Sequence, residues 1–449
     1  MNGKCKFMLK FMLKFMLKRG HIVKKDSLCP MLFSSLRGYA PATLAADAVA
    51  GVIVAVIALP LSIALALASG VGPEEGLYTA VAAGFVISAL GGSAVQIAGP
   101  TAAFATIVAG VVAKSGMDGL FAATLLAGAL LAVMGLLRAG SLIRYIPHTI
   151  TTGFTAGIAV TIAVGQLKDF CGLVYPAGTA AVTTLQKLGA AWGNIGSLNP
   201  WALALGVACV LVQALWPRTG SRVPASLLAV VLSALAVGVC GLPALTIGDL
   251  YTVRAGLPQL RLALPGLGAF AAALPDAFTI AVLAGIESLL SCVVADRMTG
   301  GQHRSNMELI AQGAGNIASA LCGGIPATGA IARTAANIRN GGTTPVAGMV
   351  HAAVLLLVLA LLMPQAALIP MPAIAAILFM VAYGMSQWRE VVRLCKNAPW
   401  HEVLVLLLTF ALTVAFDLVL AIAAGLAVHY AFAFWHLRRE RTEHEGDAD

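Results

Sequence analysis

Between residues 47 and 434 the chain reads as apolar runs separated by short polar breaks. The runs cover 47–69, 77–90, 98–113, 120–137, 149–167, 201–216, 223–239, 277–295, 309–321, 329–338, 346–362, 373–384, 403–415 and 418–434. A bilayer crossing takes about 20 apolar residues. The pattern therefore predicts an all-α polytopic membrane protein with about fourteen transmembrane segments. The longer polar loops fall at 168–199 and 241–276, and no stretch reads as a separate soluble domain. The expected division is a cytoplasmic N-terminal extension over 1–40, seven segments over 41–240, seven more over 241–436, and a short cytoplasmic tail over 437–449.

Composition agrees with this pattern. Hydrophobic residues make up 59% of the chain, charged residues 10%, and the mean hydropathy is +0.91. A soluble domain carries roughly 25% charged residues. The net charge of +9 is unevenly placed. Threading fourteen spans from a cytoplasmic N-terminus puts 22 Lys and Arg inside, 5 outside and Arg333 within the membrane. That bias predicts a cell inner (plasma) membrane protein with both termini cytoplasmic. No nucleic-acid-reading motif accompanies the charge, so no nucleic-acid partner is expected. No nucleotide loop, metal motif or nucleophile–base set appears, so neither an enzyme nor a cofactor is expected. The eight cysteines are scattered; Cys209, Cys240, Cys292 and Cys322 read as small core residues. Lys6-Phe7-Met8-Leu9 recurs as 10–13 and 14–17, a lysine every fourth residue that suits an interfacial helix or a simple-sequence extension.

Two runs are too short and too broken to be ordinary spans. One follows Ser88-Ala89-Leu90-Gly91-Gly92 and opens at Gly99-Pro100-Thr101; the other follows Ser319-Ala320-Leu321-Cys322-Gly323-Gly324 and passes Pro326 and Gly329 into Arg333. Near-identical strings before two broken runs signal an internal repeat. Seven spans per half make that repeat inverted, and matching broken segments point to a transporter site. Close packing of small residues is the plainer reading of such glycines.

A half-helix that begins in mid-membrane offers free N–H groups and the positive end of its dipole. Two such ends hold an anion. The first candidate end is Pro100 with Thr101, Ala102 and Ala103, Pro suiting the first helical turn. The second is Ala330, Ile331, Ala332 and Arg333. An ionisable side chain within a span is by default a functional candidate. Arg333 is expected to bind the anion; a structural pairing with a carbonyl or a carboxylate is the alternative. Glu287 and Ser291, with Ser288 nearby, are the candidates for ion coupling, by proton or by sodium; an ion pair with Arg333 is the alternative. Asp296, Arg297, Arg304 and Glu308 read as solvated loop charges. His148 and His351 lie near helix starts as lesser candidates for a proton relay.

At these residues the chain resembles a known family. Gly92 to Ala103 resembles the third-span motif of the SulP anion transporters. Gly285 to Leu290, continuing through Asp296 to Gly300, and Ala332 to Asn337, continuing to Gly341-Gly342, resemble further motifs of that family. The likeness extends through Ala398-Pro399 and Leu412 to Asp417 and covers essentially 44–435. It implies a seven-plus-seven inverted repeat with core and gate domains, broken helices preceded by short strands, and an anion site worked by an elevator-like movement. It also implies a homodimer partner. The first span reads Pro60-Leu61, as in the bacterial branch that takes up C4-dicarboxylates with protons, which adds Leu61 to the expected site. Thr101 stands where animal relatives carry an aromatic residue. The C-terminal STAS domain usual in the family is expected to be missing. Proton-coupled uptake of a C4-dicarboxylate or small inorganic anion is thus the expected function. The alternatives are sulfate or bicarbonate carriage, and further off a nucleobase permease or an anion channel.

Overall fold

The structure is a computed structural model that describes residues 28–434, apart from 142–146, 177–178, 180–182, 222, 254–255, 259, 416–419 and 433. The Lys-Phe-Met-Leu repeats and the tail after 434 lie outside the described residues. The first half supplies helices α1 (Pro41–Ala68), α2 (Pro73–Leu90), α3 (Ala102–Leu136), α4 (His148–Cys171), α5 (Pro200–Leu215) and α6 (Ala225–Cys240), with strand β1 (Ala98–Gly99) before α3. The second half supplies α7 (Leu267–Thr299), α8 (Ser305–Leu321), α9 (Ile331–Arg339), α10 (Pro345–Leu361), α11 (Met371–Ser386), α12 (Trp388–Asn397), α13 (Trp400–Ala415) and α14 (Leu420–Phe432), with strand β2 (Thr328–Gly329) before α9. Among the described residues, six helices are long and apolar enough to cross a membrane, and four shorter apolar ones accompany them.

Local chemistry explains these boundaries. Pro41, Pro73, Pro200 and Pro345 open their helices, where the missing N–H costs nothing. The expected segments 98–113 and 120–137 form one helical run broken at Gly116, whose φ of 65° a side chain rarely tolerates. Pro100 precedes α3 instead of sitting in its first turn, because the backbone is still extended there and Thr101 is the N-cap. Each Ser-Ala-Leu string ends a helix: α2 at Leu90 and α8 at Leu321. After each come a loop, a two-residue strand and a new helix.

The helices fall into two packed sets. In one, α3 lies against α7 and α8, α2 against α8 and α10, and α1 against α10, with α9 on α7. In the other, α4 lies against α11 and α13, and α5 against α6 and α11. Small residues bring backbones together in the first set. A Cβ on Gly128 of α3 would meet the carbonyl oxygen of Gly313 on α8 at 2.7 Å, a spacing that only glycine permits.

The broken segments meet in a two-stranded antiparallel sheet, Ala98 opposite Gly329 and Gly99 opposite Thr328. Backbone polar groups inside a bilayer must find partners within the protein, and buried side chains supply the rest. Thr334 Oγ1 accepts from Ile97 N at 3.0 Å, and Asn337 Nδ2 donates to Val95 O at 2.9 Å. Asn316 accepts from Ala327 N and donates to Ala327 O, both at 2.9 Å. Thr79 Oγ1 accepts from Ile325 N at 2.7 Å. Glu308, expected in solvent, is fully buried instead. Its carboxylate accepts from Gly92 N at 2.9 Å and from Gln96 Nε2 and Gln312 Nε2 at 2.8 Å each. The sequence pattern groups Glu308 with the loop charges Asp296, Arg297 and Arg304, and α8 turns it inward.

Replacing Glu308 by Ala strands these three donors, each at a cost of about 1–3 kcal/mol. The expected result is a lower thermal midpoint in detergent, with Glu308→Gln intermediate. An unchanged midpoint for Glu308→Ala would remove Glu308 from the support of β1.

Candidate functional site

The short strands deliver the starts of α3 and α9 to one place. No side chain caps either start. Arg333, in the first turn of α9, is 2% exposed. Its Nη2 donates to the carbonyl oxygen of Pro100, so the two helix starts touch. Its Nη1 is buried and has no hydrogen-bond partner among the described residues. Glycine at position 99 is required by this arrangement: φ is 154°, and a Cβ would lie 2.6 Å from Nη1. A Cβ on Gly329 would likewise run into Gln96.

Thr101 does not cap α3 because its hydroxyl is turned away, donating to Glu287 Oε2 on α7 at 2.9 Å. Glu287 is half-buried, and Thr101 is 7% exposed. Among the described residues the ion pairs do not include Glu287 with Arg333. The alternative of a tight Glu287–Arg333 ion pair therefore does not match the geometry, whereas the structural alternative for Arg333, pairing with a carbonyl, is present at Pro100. Arg333 is held by a carbonyl and Glu287 by a hydroxyl, which leaves a cation and a carboxylate side by side.

The other expected residues separate into those at this place and those behind it. Ala102, Ala103 and Ala330 are buried at the helix starts, while Ile331 and Ala332 are exposed. Leu61, directly after the in-helix Pro60, is half-buried on α1, which packs on both α3 and α9. Ser291 lies one turn beyond Glu287, fully buried, with its hydroxyl on Thr334 Oγ1 at 3.3 Å. Ser288 donates to Gly285 O at 3.2 Å. Both serines thus spend their hydroxyls on partners other than Glu287. His148 is exposed, and His351 is fully buried on α10. Gln96 and Thr334 lie within the recognised motifs but carry no site role of their own in the sequence; the strand pairing gives them their place. A crevice of about 400 Å³ runs along α3 from Ala103 to Ala113. Its opposite wall is α4, the helix Thr184–Gly193 and the end of α13, so it lies between the two packed sets.

A family profile described as "Sulfate permease family" matches residues 44–409, most of the chain. The chain belongs to the sulfate permease family. Sulfate permeases are anion transporters and not enzymes, so this is a multi-pass membrane transporter. Its relatives include "Putative sulfate transporter YvdB" of Bacillus subtilis, 40% identical over 90% of this chain and 76% of that one. The "Bicarbonate transporter BicA" of Picosynechococcus is 32% identical over 90% of this chain and 73% of its own length. Among solved structures, the transmembrane domain of a cyanobacterial BicA superposes with a TM-score of 0.76 at 33% identity, covering 85% of this chain and 97% of that one. SLC26A9 shares the fold, with a TM-score of 0.83 at 18% identity over 91% of this chain and 68% of its own. These sulfate permease relatives are named for sulfate or bicarbonate. The expected likeness to the C4-dicarboxylate branch is corrected accordingly: Pro60-Leu61 is too short a motif to separate branches.

Ala332 is exposed, so Ala332→Phe is expected to fold and to fill the space before the two helix starts. Sulfate is then expected not to raise the thermal midpoint, while a rise is expected for the unaltered protein. A ligand-bound stabilisation of about 2.7 kcal/mol is available at a hundredfold excess over Kd. A retained shift would place the anion elsewhere.

Proposed function

We propose that the chain is a secondary active transporter that takes up sulfate together with protons. The observation that carries this reading is the buried Arg333 with one unpartnered amino group, set between two uncapped helix starts and beside the Thr101–Glu287 hydrogen bond. Each helix start carries roughly half a positive charge. Together with Arg333 they come to about two positive charges, which suits a dianion when Glu287 is protonated. An anion beside Arg333 offsets that cation's hold on the carboxylate, so anion and proton favour each other, as symport requires. The wall of small side chains at Ala102, Ala103, Ala330 and Ala332, near Leu61, lets an anion approach the N–H groups. Ser291 acts from behind by holding Thr334.

The same reading takes the fourteen apolar segments as a seven-plus-seven inverted repeat. The first packed set is the moving core and the second the gate of an elevator in the plasma membrane, with both termini cytoplasmic. Bicarbonate is the second reading, favoured by the 33% identical BicA transmembrane domain. A monoanion balances the site with Glu287 ionised, and then needs no proton.

Uptake into proteoliposomes separates these. Labelled sulfate, bicarbonate and succinate are offered side by side, with and without an acid gradient or sodium. Acid-driven sulfate accumulation is expected. Arg333→Gln should lower uptake by more than about tenfold, since a unit charge at close range in a protein is worth several kcal/mol. Glu287→Gln should still exchange sulfate for sulfate but lose acid-driven accumulation. Sodium-dependent, pH-insensitive uptake, or full accumulation by Glu287→Gln, refutes proton coupling.

A further inference from the structure

We propose that Lys187 forms a capture site for small oxyanions at the mouth of the crevice, occupied before the anion reaches the two helix starts; this rests on the transport reading above. Lys187 lies on the helix Thr184–Gly193, which is fixed at its start by a capping box between Thr183 and Gln186. Thr184 holds that helix on α4 through Thr161, Oγ1 to Oγ1 at 3.5 Å. The ammonium is thereby set over a glycine: a Cβ on Gly165 would lie 3.8 Å from Nζ.

Lys187 lines three adjoining crevices, of about 400, 400 and 370 Å³. The first also reaches Ala103, at the start of α3. The third shares Thr106 and Ala109 with it. Six residues of helix, about 9 Å, separate Ala103 from Ala109. A diffusing anion that meets Lys187 is therefore in the same crevice that Ala103 lines at the start of α3.

The charges around it leave Lys187 uncompensated. Asp276 lines the first crevice but is paired with Lys114 at 3.5 Å. Asp169 lines the third and lies beside Lys168, whose ammonium also sits over the Tyr175 ring at 5.4 Å. Among the described residues Lys187 makes no ion pair. Half-buried, its ammonium is shifted below its ordinary pKa by burial, with no carboxylate opposing the shift. A cation in a cleft with low-dielectric walls concentrates anions and raises their capture rate.

The test is initial-rate sulfate uptake by proteoliposomes. Lys187→Ala is expected to raise the KM for sulfate about tenfold with an unchanged maximal rate, and Lys187→Glu to raise it further. Lys187→Arg should stay near the unaltered protein. The gap between Lys187→Ala and the unaltered protein should close as potassium gluconate raises the ionic strength. KM values for the Ala and Glu variants within about twofold of the original overturn the capture site, as does a change that Arg fails to rescue or that salt does not screen. If the unaltered protein moves no anion under any gradient, the transport reading fails and the capture site falls with it. Transport with unmoved KM values fails the capture site alone.

Discussion

Two helices that stop and restart inside an apolar protein expose backbone groups with no water to satisfy them, and the rest of the molecule is arranged around that need. Pairing Ala98–Gly99 with Thr328–Gly329 joins the two interruptions so that each meets part of the other's demand. What the pairing leaves over is met by Thr79, Asn316, Thr334, Asn337 and Glu308, all fully or almost fully buried. An unmet buried donor costs about 1–3 kcal/mol, so this polar set is needed to keep the strands in register. The glycines at 99 and 329 follow from the same crowding, because a guanidinium and an amide pack where side chains would project.

The pairing also determines where charge resides. Arg333 is brought against Pro100 by the register of the strands, and the carbonyl takes one of its amino groups. Thr101, freed from capping, takes the carboxylate of Glu287. Each charged group is thus held by a neutral partner. A direct pair would neutralise both and leave nothing for a ligand to balance. Removing one member of a buried pair is costly, whereas a charge held by a neutral dipole leaves its remaining valence open to an incoming ion.

The apolar pattern made the helices legible, since in lipid a helix must be apolar along its length and every break is visible as Gly, Pro or charge. The repeated Ser-Ala-Leu strings made the two broken segments legible as a pair, and the placement of Arg333 at a helix start followed from Gly329. Registers and hydroxyl directions were not legible. Nothing in the spacing of Ser288 and Ser291 says that one bonds its own helix and the other Thr334. Glu308 reads as a loop charge because its neighbours are polar, and only the packing of α8 on α2 and α3 turns it inward. Lys187 carries no signal either, because its setting depends on a short helix resting on α4 across a polar loop.

The hydrogen bonds between the strands have one more consequence. The starts of α3 and α9 cannot part without leaving unpaired amides in an apolar interior, so they form a single block. A block that keeps its internal geometry has the same intrinsic preference among anions whichever side it faces. In the elevator proposed above, any rectification of flux is then inscribed in the walls that the block passes, and Lys187 stands on one of those walls.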